Sequence, residues 1–172
     1  HRWINRLSDW SCDKRVVIVP GGGEFADNVR QLQESIELTD KLAHELALDA
    51  MRRVGRKIMR ASRTDMRFHC LPTLKKHALD DSTGCSVWVP TSQEFRYTDL
   101  PESWSVTSDS ISLWLACELK AAQLILLKSR LPLDRDPSTW STEGYVDEFF
   151  SELLSRGSEP RISALVKPES LL

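Results

Sequence analysis

Four β-branched residues that stop at a proline and three glycines constrain this chain more than any other stretch. Val16-Val17-Ile18-Val19 runs into Pro20 and then Gly21-Gly22-Gly23, and a helical pattern opens at Glu24. A continuous apolar run bounded by turn residues reads as a strand buried on both faces, the kind found inside parallel sheets. The order strand, glycine loop, helix sets bare backbone N–H groups beside the positive end of a helix dipole. Such a place suits an anion, most often a phosphate. The same glycines also serve an ordinary tight turn. They match neither GxGxxG nor GxxxxGK[ST], so both readings stay open at this point.

The rest of the chain repeats the alternation. Trp3, Ile4, Leu7 and Trp10 share one helical face. Glu24 to Glu34 predicts a short helix. A second helix is expected from Thr39 to Val54, with Leu42, Ala43, Leu46, Ala47, Ala50, Met51 and Val54 as its buried stripe. Gly55 fits the end of that helix, with Arg52 and Arg53 in its last turn, and Arg56 to Ala61 is a candidate continuation. Met66–Cys70, Cys85–Pro90, Leu124–Leu127 and Ile162–Val166 read as strands. Pro72–Leu79, a segment from Ser108 to about Lys120, and the stripe Val146, Phe149, Phe150, Leu153, Leu154 ending at Gly157 read as helices. Asp80–Gly84 is a turn cluster, and Thr91–Ser103 and Leu131–Ser138 read as loops. Strands alternating with helices predict an α/β protein: a three-layer α/β/α sandwich around a mostly parallel sheet, in one domain over residues 1–172.

Composition narrows the partners. A net charge of -2 gives no reason to expect nucleic acid or an anionic membrane. No apolar run approaches a membrane span, and no signal peptide is visible. Cys12, Cys70, Cys85 and Cys117 are dispersed without a CxxC pair, so neither zinc nor disulfides are expected, and a reducing cytoplasmic setting is.

Several polar residues could carry chemistry. Thr107-Ser108-Asp109-Ser110 opens a helix, where hydroxyls beside an acid can bind phosphate or orient a cation; from spacing alone, simple capping by Ser108 with Asp109 in the first turn is the better reading. Lys128 ends the apolar strand LILLK, on the edge where open α/β sheets bind ligands, or it is merely a solvated lysine at a strand exit. Asp40 and His44 lie one turn apart and read better as a helix-surface pair than as metal ligands. Asp27 and Arg30 follow the glycine loop and by type are more often surface charges. His69 and His77 show no partner spacing. The tryptophans read as core, except Trp104, which sits in a polar stretch near Asp109.

Taken in order, VPGGGEFADNVR, DKLAHELALDAM, SWSVTSDSISLWLA and LILLKS resemble the amino acid kinase superfamily, which includes acetylglutamate, aspartate, carbamate and uridylate kinases. The forms WxVTSDSIxxWLA and LLKS, with GYVDEFF, look most like its aminomethylfuran phosphate kinase branch in methanofuran biosynthesis. The resemblance implies an ATP-dependent small-molecule kinase, working with Mg²⁺, that transfers the γ-phosphoryl group to a phosphate or carboxylate oxygen. In the branch, the acceptor is an aminomethylfuran phosphate. It implies that Gly21, Gly22 and Gly23 hold the acceptor and the transferring phosphate. Arg30, Thr107 and Ser108 would meet the acceptor, Asp109 would be the catalytic organiser, and Lys128 and Ser129 would lie near ATP. A homo-oligomer is expected.

Two departures from the pattern matter. Relatives begin with a strand ending in a Lys-x-Gly-Gly-Ser type loop, whose lysine contacts the transferring phosphate, and this sequence starts after that point. The expectation is that such a segment lies upstream and that the chain from His1 alone is inactive. The Asp-Gly expected after LLKS is replaced by Leu131-Pro132. A non-catalytic nucleotide- or anion-binding, or storage, member of the same fold is the alternative.

Overall fold

The structure, a computed structural model, describes residues 3–4, 7, 11–62, 66–79, 83–157 and 160–166. Trp3, Ile4 and Leu7 are helical and half-buried, whereas Trp10 lies outside the described residues.

The apolar run forms β1 (Arg15–Ile18), and the glycines lead directly into α1 (Gly23–Ile36), which ends where Glu37 turns left-handed at φ 52°. α2 (Asp40–Ala61) is capped by Thr39, whose Oγ1 accepts from the Leu42 N–H at 3.3 Å. β2 (Arg67–Phe68), α3 (Leu71–His77) and β3 (Gly84–Val87) follow. Next come α4 (Ser92–Phe95), α5 (Ser108–Glu118), β4 (Gln123–Leu127), a 3-10 turn at Pro137–Thr139, α6 (Phe149–Ser155) and β5 (Arg161–Leu165).

Among the described residues all strand pairings are parallel, and they form two sheets where the sequence predicted one. β3 lies between β1 and β2, with Val17 opposite Ser86, and β4 pairs β5, with Leu124 opposite Ile162. Parallel strands need crossovers, and the helices supply them, so the predicted α/β architecture holds. The core gathers Trp88, Val106, Ile111, Leu113, Leu126 and Phe150 between β4, α5 and α6. Within β1, Val16 is buried and its neighbours are half-buried. The strand is thus less buried than the two-faced burial expected from sequence, and among the described residues β1 is bonded only to β3.

Several local expectations are corrected. Gly55 does not end α2: the helix runs six residues further, to Ala61, and Arg52 and Arg53 are therefore not in its last turn. Gly55 is there for packing, because a Cβ on it would stand 2.9 Å from Phe68 Cζ and 3.1 Å from Val87 Cγ1. The buried stripe of α2 holds His44 and Leu48, while Leu42 is 43% exposed. Asp40 and His44 do not pair on the surface. His44 is buried against Phe95, with ring centroids 4.4 Å apart, and Asp40 accepts from Gln33 Nε2 at 2.9 Å. The stretch expected to be a loop after Pro90 contains α4, held by a capping box in which Thr91 and Glu94 bond each other's backbone. That box is the local pattern Thr-x-x-Glu, and it was legible in the sequence.

Candidate active site

Within each of the two parallel sheets the C-terminal ends lie on one side, and the loops leaving β1 and β4 meet at one cavity. β1 delivers the glycine loop to that cavity and β4 delivers Lys128, whose backbone N–H donates to Leu165 O at 3.0 Å and so stays in the ladder with β5. The first turn of α5 brings Thr107, Ser108 and Asp109 to the same place. These residues line one cavity of about 740 Å³, together with Gly21, Gly22, Gly23, Arg30, Trp104, Tyr145 and Asp147. Of the residues singled out from sequence, Ser129 is the exception: it is exposed, in the turn after β4, and does not line the cavity. A residue adjacent to an inward-pointing one at a strand exit points the other way.

The three glycines are not equivalent. A Cβ on Gly21 would stand 3.5 Å from Ser108 Oγ, an ordinary contact, at the cavity wall. A Cβ on Gly22 would meet Ala26 Cβ at 2.4 Å, so the start of α1 itself requires glycine there. Gly23 sits at φ +53°, a left-handed conformation that glycine adopts without strain. Gly22 is the N-cap of α1 and makes no side-chain cap, which leaves the helix's first N–H groups uncapped beside the cavity.

Lys128 and Asp109 form the charged centre. Lys128 Nζ donates to Asp109 Oδ2 at 2.6 Å, with the two side chains 26% and 14% exposed. The solvated-lysine reading of Lys128 is therefore set aside. Burial raises the Asp109 pKa, Lys128 pulls it back, and the charge of Asp147 pushes it up again; burial prevails. Tyr145 lies beside both: its ring centroid is 5.3 Å from Lys128 Nζ, and burial and Asp109 raise its phenol pKa. Arg130 faces the same ring, its Cζ 5.3 Å from the centroid.

At the other side of the cavity Arg30 lies 4.1 Å over the Trp104 ring and pairs with Asp27 at 3.2 Å. Trp104 is held in turn by its Nε1–H, which donates to Gln33 Oε1 at 2.5 Å. A planar guanidinium stacked on indole keeps its edge donors available to an anion.

The capping prediction for α5 needs correction. Thr107, not Ser108, is its N-cap, and Thr107 makes no side-chain cap bond. Asp147 takes that role: its Oδ2 accepts from Thr107 N and Thr107 Oγ1, both at 2.8 Å, and from Ser110 N at 3.1 Å. Its Oδ1 accepts from Ser110 Oγ. Sequence reading gave Asp147 and Tyr145 no role. The available signal was the polar Gly144-Tyr145-Val146-Asp147 stretch at the start of an amphipathic helix, which does not say where its acid points.

The site is thus a wide cleft with a glycine loop and helix start on one wall and a half-buried lysine–aspartate pair on another. A stacked arginine stands at its rim. It can receive an anionic ligand and place a cation beside it.

This architecture is amino acid kinase-like. The chain superposes on uridylate kinase from Archaeoglobus fulgidus with a TM-score of 0.73 over 99% of this chain and 84% of that one, at 14% identity. At the sequence level it is 31% identical over 118 residues to [5-(aminomethyl)furan-3-yl]methyl phosphate kinase of Methanocaldococcus jannaschii. That match takes in 66% of this chain and 51% of the relative, so the chain spans about half the length of the curated protein it matches. No protein-family profile matches the chain.

Proposed function

We propose that this protein is an ATP-dependent kinase of the amino acid kinase type, transferring the γ-phosphoryl group of ATP to an oxygen of a small phosphate-bearing acceptor. The observation that carries the reading is the convergence of Gly21, Thr107, Ser108, Asp109 and Lys128, from three separate segments, on one cavity. The finer assignment is an aminomethylfuran phosphate as acceptor, supported by the 31% identity to the Methanocaldococcus jannaschii enzyme. The same reading takes the chain as a single domain and expects a homo-oligomer in the cytoplasm. No helix among the described residues is long and apolar enough to cross a membrane.

The residues present fit a phosphate. The place a Cβ on Gly21 would fill is open to a phosphate oxygen, and the uncapped start of α1 offers N–H donors with a favourable dipole. Bound ATP supplies the phosphoryl group. Mg²⁺ would be held chiefly by its phosphate oxygens, since among the described residues no three His, Cys, Asp or Glu side chains are grouped to hold a metal. The chain's own residues do the positioning that phosphoryl transfer mainly requires. Gly21 allows close backbone approach. Lys128 offsets charge on the transferring group. Asp109 holds the Lys128 ammonium in place through the 2.6 Å bond. Arg30, kept flat by Trp104, meets the acceptor's phosphate, and Ser108 and Thr107 lie beside it.

The test is ATP consumption by the purified full-length protein, any segment preceding His1 included, with Mg²⁺ against aminomethylfuran phosphate, uridylate and acetylglutamate, with product mass confirmed. Phosphorylation of one acceptor supports the kinase reading. Faster turnover on uridylate or acetylglutamate removes the aminomethylfuran assignment, and no phosphorylated product from any of the three removes the kinase.

A further inference from the structure

We propose that Asp147 is a positioning residue that locks the first turn of α5 and thereby aims Ser108 and Asp109 into the cavity; this rests on the kinase reading for its catalytic consequence. A helix start leaves N–H groups without partners, and Thr107 caps none with its own side chain. Asp147, 40 residues away in sequence, meets that need from across the cleft. Its two oxygens receive four donors: the Thr107 N–H and hydroxyl, and the Ser110 N–H and hydroxyl. Ser108 and Asp109 lie between these two pinned residues. With the backbone held on both sides of them, their side chains are directed at the cavity wall they share with Gly21 and Lys128.

Asp147 is itself held. Its carbonyl accepts from Ser141 Oγ at 2.8 Å, Tyr145 N donates to Trp140 O at 2.9 Å, and Phe149 N donates to Ser105 O at 3.1 Å. Trp140 and Phe150 are buried beside it, so the carboxylate is carried by packed structure. A negative group at the start of α5 is also favoured by the helix dipole. Its presence fills that helix end with a protein carboxylate and leaves the uncapped start of α1 as the end available to a substrate phosphate. Asp147 therefore acts through its neighbours. All its bonds described here go to the chain, and its effect falls on the geometry of the Asp109–Lys128 pair.

The experiment compares Asp147→Ala, Asp147→Asn and a core control, Leu154→Ala, each assayed well below its own melting temperature. The amide of Asn can offer its oxygen to Thr107 and Ser110 N–H and its NH₂ to Ser110 Oγ, which then accepts. Asp147→Ala is expected to lower kcat about ten-fold or more with the KM for ATP changed less than about two-fold, a loss confined to the transition state. Asp147→Asn is expected to recover most of that loss, and Leu154→Ala to melt earlier while keeping its kcat. Hydrogen exchange of the peptide spanning 105–110 is expected to rise about ten-fold in Asp147→Ala and to stay near wild type in Asp147→Asn. The proposal is overturned by a wild-type kcat in Asp147→Ala, by an Asn variant as slow as the Ala variant, or by an equal kcat loss in Leu154→Ala. If the full-length wild type turns over no acceptor, the kinase reading falls instead, and the exchange of residues 105–110 alone decides the lock: unchanged exchange in Asp147→Ala refutes it.

Discussion

Gly21→Ala is the cleanest single perturbation of the cavity. The added Cβ would lie 3.5 Å from Ser108 Oγ with no closer neighbour, and Gly21 is not in a left-handed conformation. The fold therefore has no reason to resist it. Restricting the unfolded chain should even add about 0.4–1 kcal/mol of stability, as glycine-to-alanine changes do at compatible sites. A phosphate oxygen seated against that backbone would lose its approach. The loss of one hydrogen bond to a charged group is about 1.5–3 kcal/mol, or about 10- to 150-fold in affinity. Gly22→Ala is the contrast. Its Cβ meets Ala26 Cβ at 2.4 Å, so α1 must shift, at a cost of about 1–3 kcal/mol in stability. Gly23→Ala adds left-handed strain at φ +53°, about 1–2 kcal/mol. The assay pairs thermal melts with calorimetric titration of ATP and of the acceptor. The expected pattern is a Gly21 variant that melts no lower than wild type and binds at least one phosphate ligand about ten-fold more weakly, beside Gly22 and Gly23 variants that melt lower. A Gly21 variant with wild-type affinities for both ligands would refute the phosphate cradle, and one that melts like the Gly22 variant would refute the steric reasoning.

Three further outcomes follow from named contacts. Asp109→Asn should lower kcat/KM by about 2 kcal/mol, about 30-fold, by releasing Lys128 from its partner. Because burial raises the Asp109 pKa above 3.8, the native state binds its proton more tightly than the unfolded chain, so stability falls as pH rises from 3.8 through the raised value. Melting curves of the Asn variant against pH should lack that fall, and an identical pH dependence would refute it. His44 is buried against Phe95 with its pKa lowered, so it resists protonation in the fold and stability should be lost as pH drops below 6.5 through the lowered value. His44→Phe should flatten the loss in acid melts; an unchanged slope would assign the acid sensitivity elsewhere. Gly55→Ala should destabilise by about 1–3 kcal/mol, read by denaturant titration, because its Cβ crowds Phe68 and Val87.

Much of the architecture was legible because it is encoded locally. The Val16–Val19 run, the glycines and the start of α1 are neighbours in sequence, and their order alone sets a strand exit beside a helix start. The apolar runs around Cys85–Val89 and Leu124–Leu127 marked parallel strands, and parallel strands bring their C-terminal ends together whatever the loops do. That rule placed Gly21 and Lys128 at strand exits, while Asp109 joined them only through the family resemblance. Short-range pattern failed where the deciding partner is remote. His44 looked like a surface partner of Asp40, yet Phe95 covers it, and no periodicity within α2 reveals the segment that packs on it. Gly55 has the residue type of a helix end, but Phe68 and Val87 press on it from β2 and β3. The start of α5 carries hydroxyls suited to capping itself, while Asp147 supplies the cap from 40 residues away. Sequence by itself determined most of the strands and helices and the strand exits that carry Gly21 and Lys128, because these depend on neighbours along the chain. Only the tertiary structure decided that Ser129 faces outward, that Lys128 is paired to Asp109, and that Asp147 pins the helix between them, because side-chain partners are chosen by distance in space.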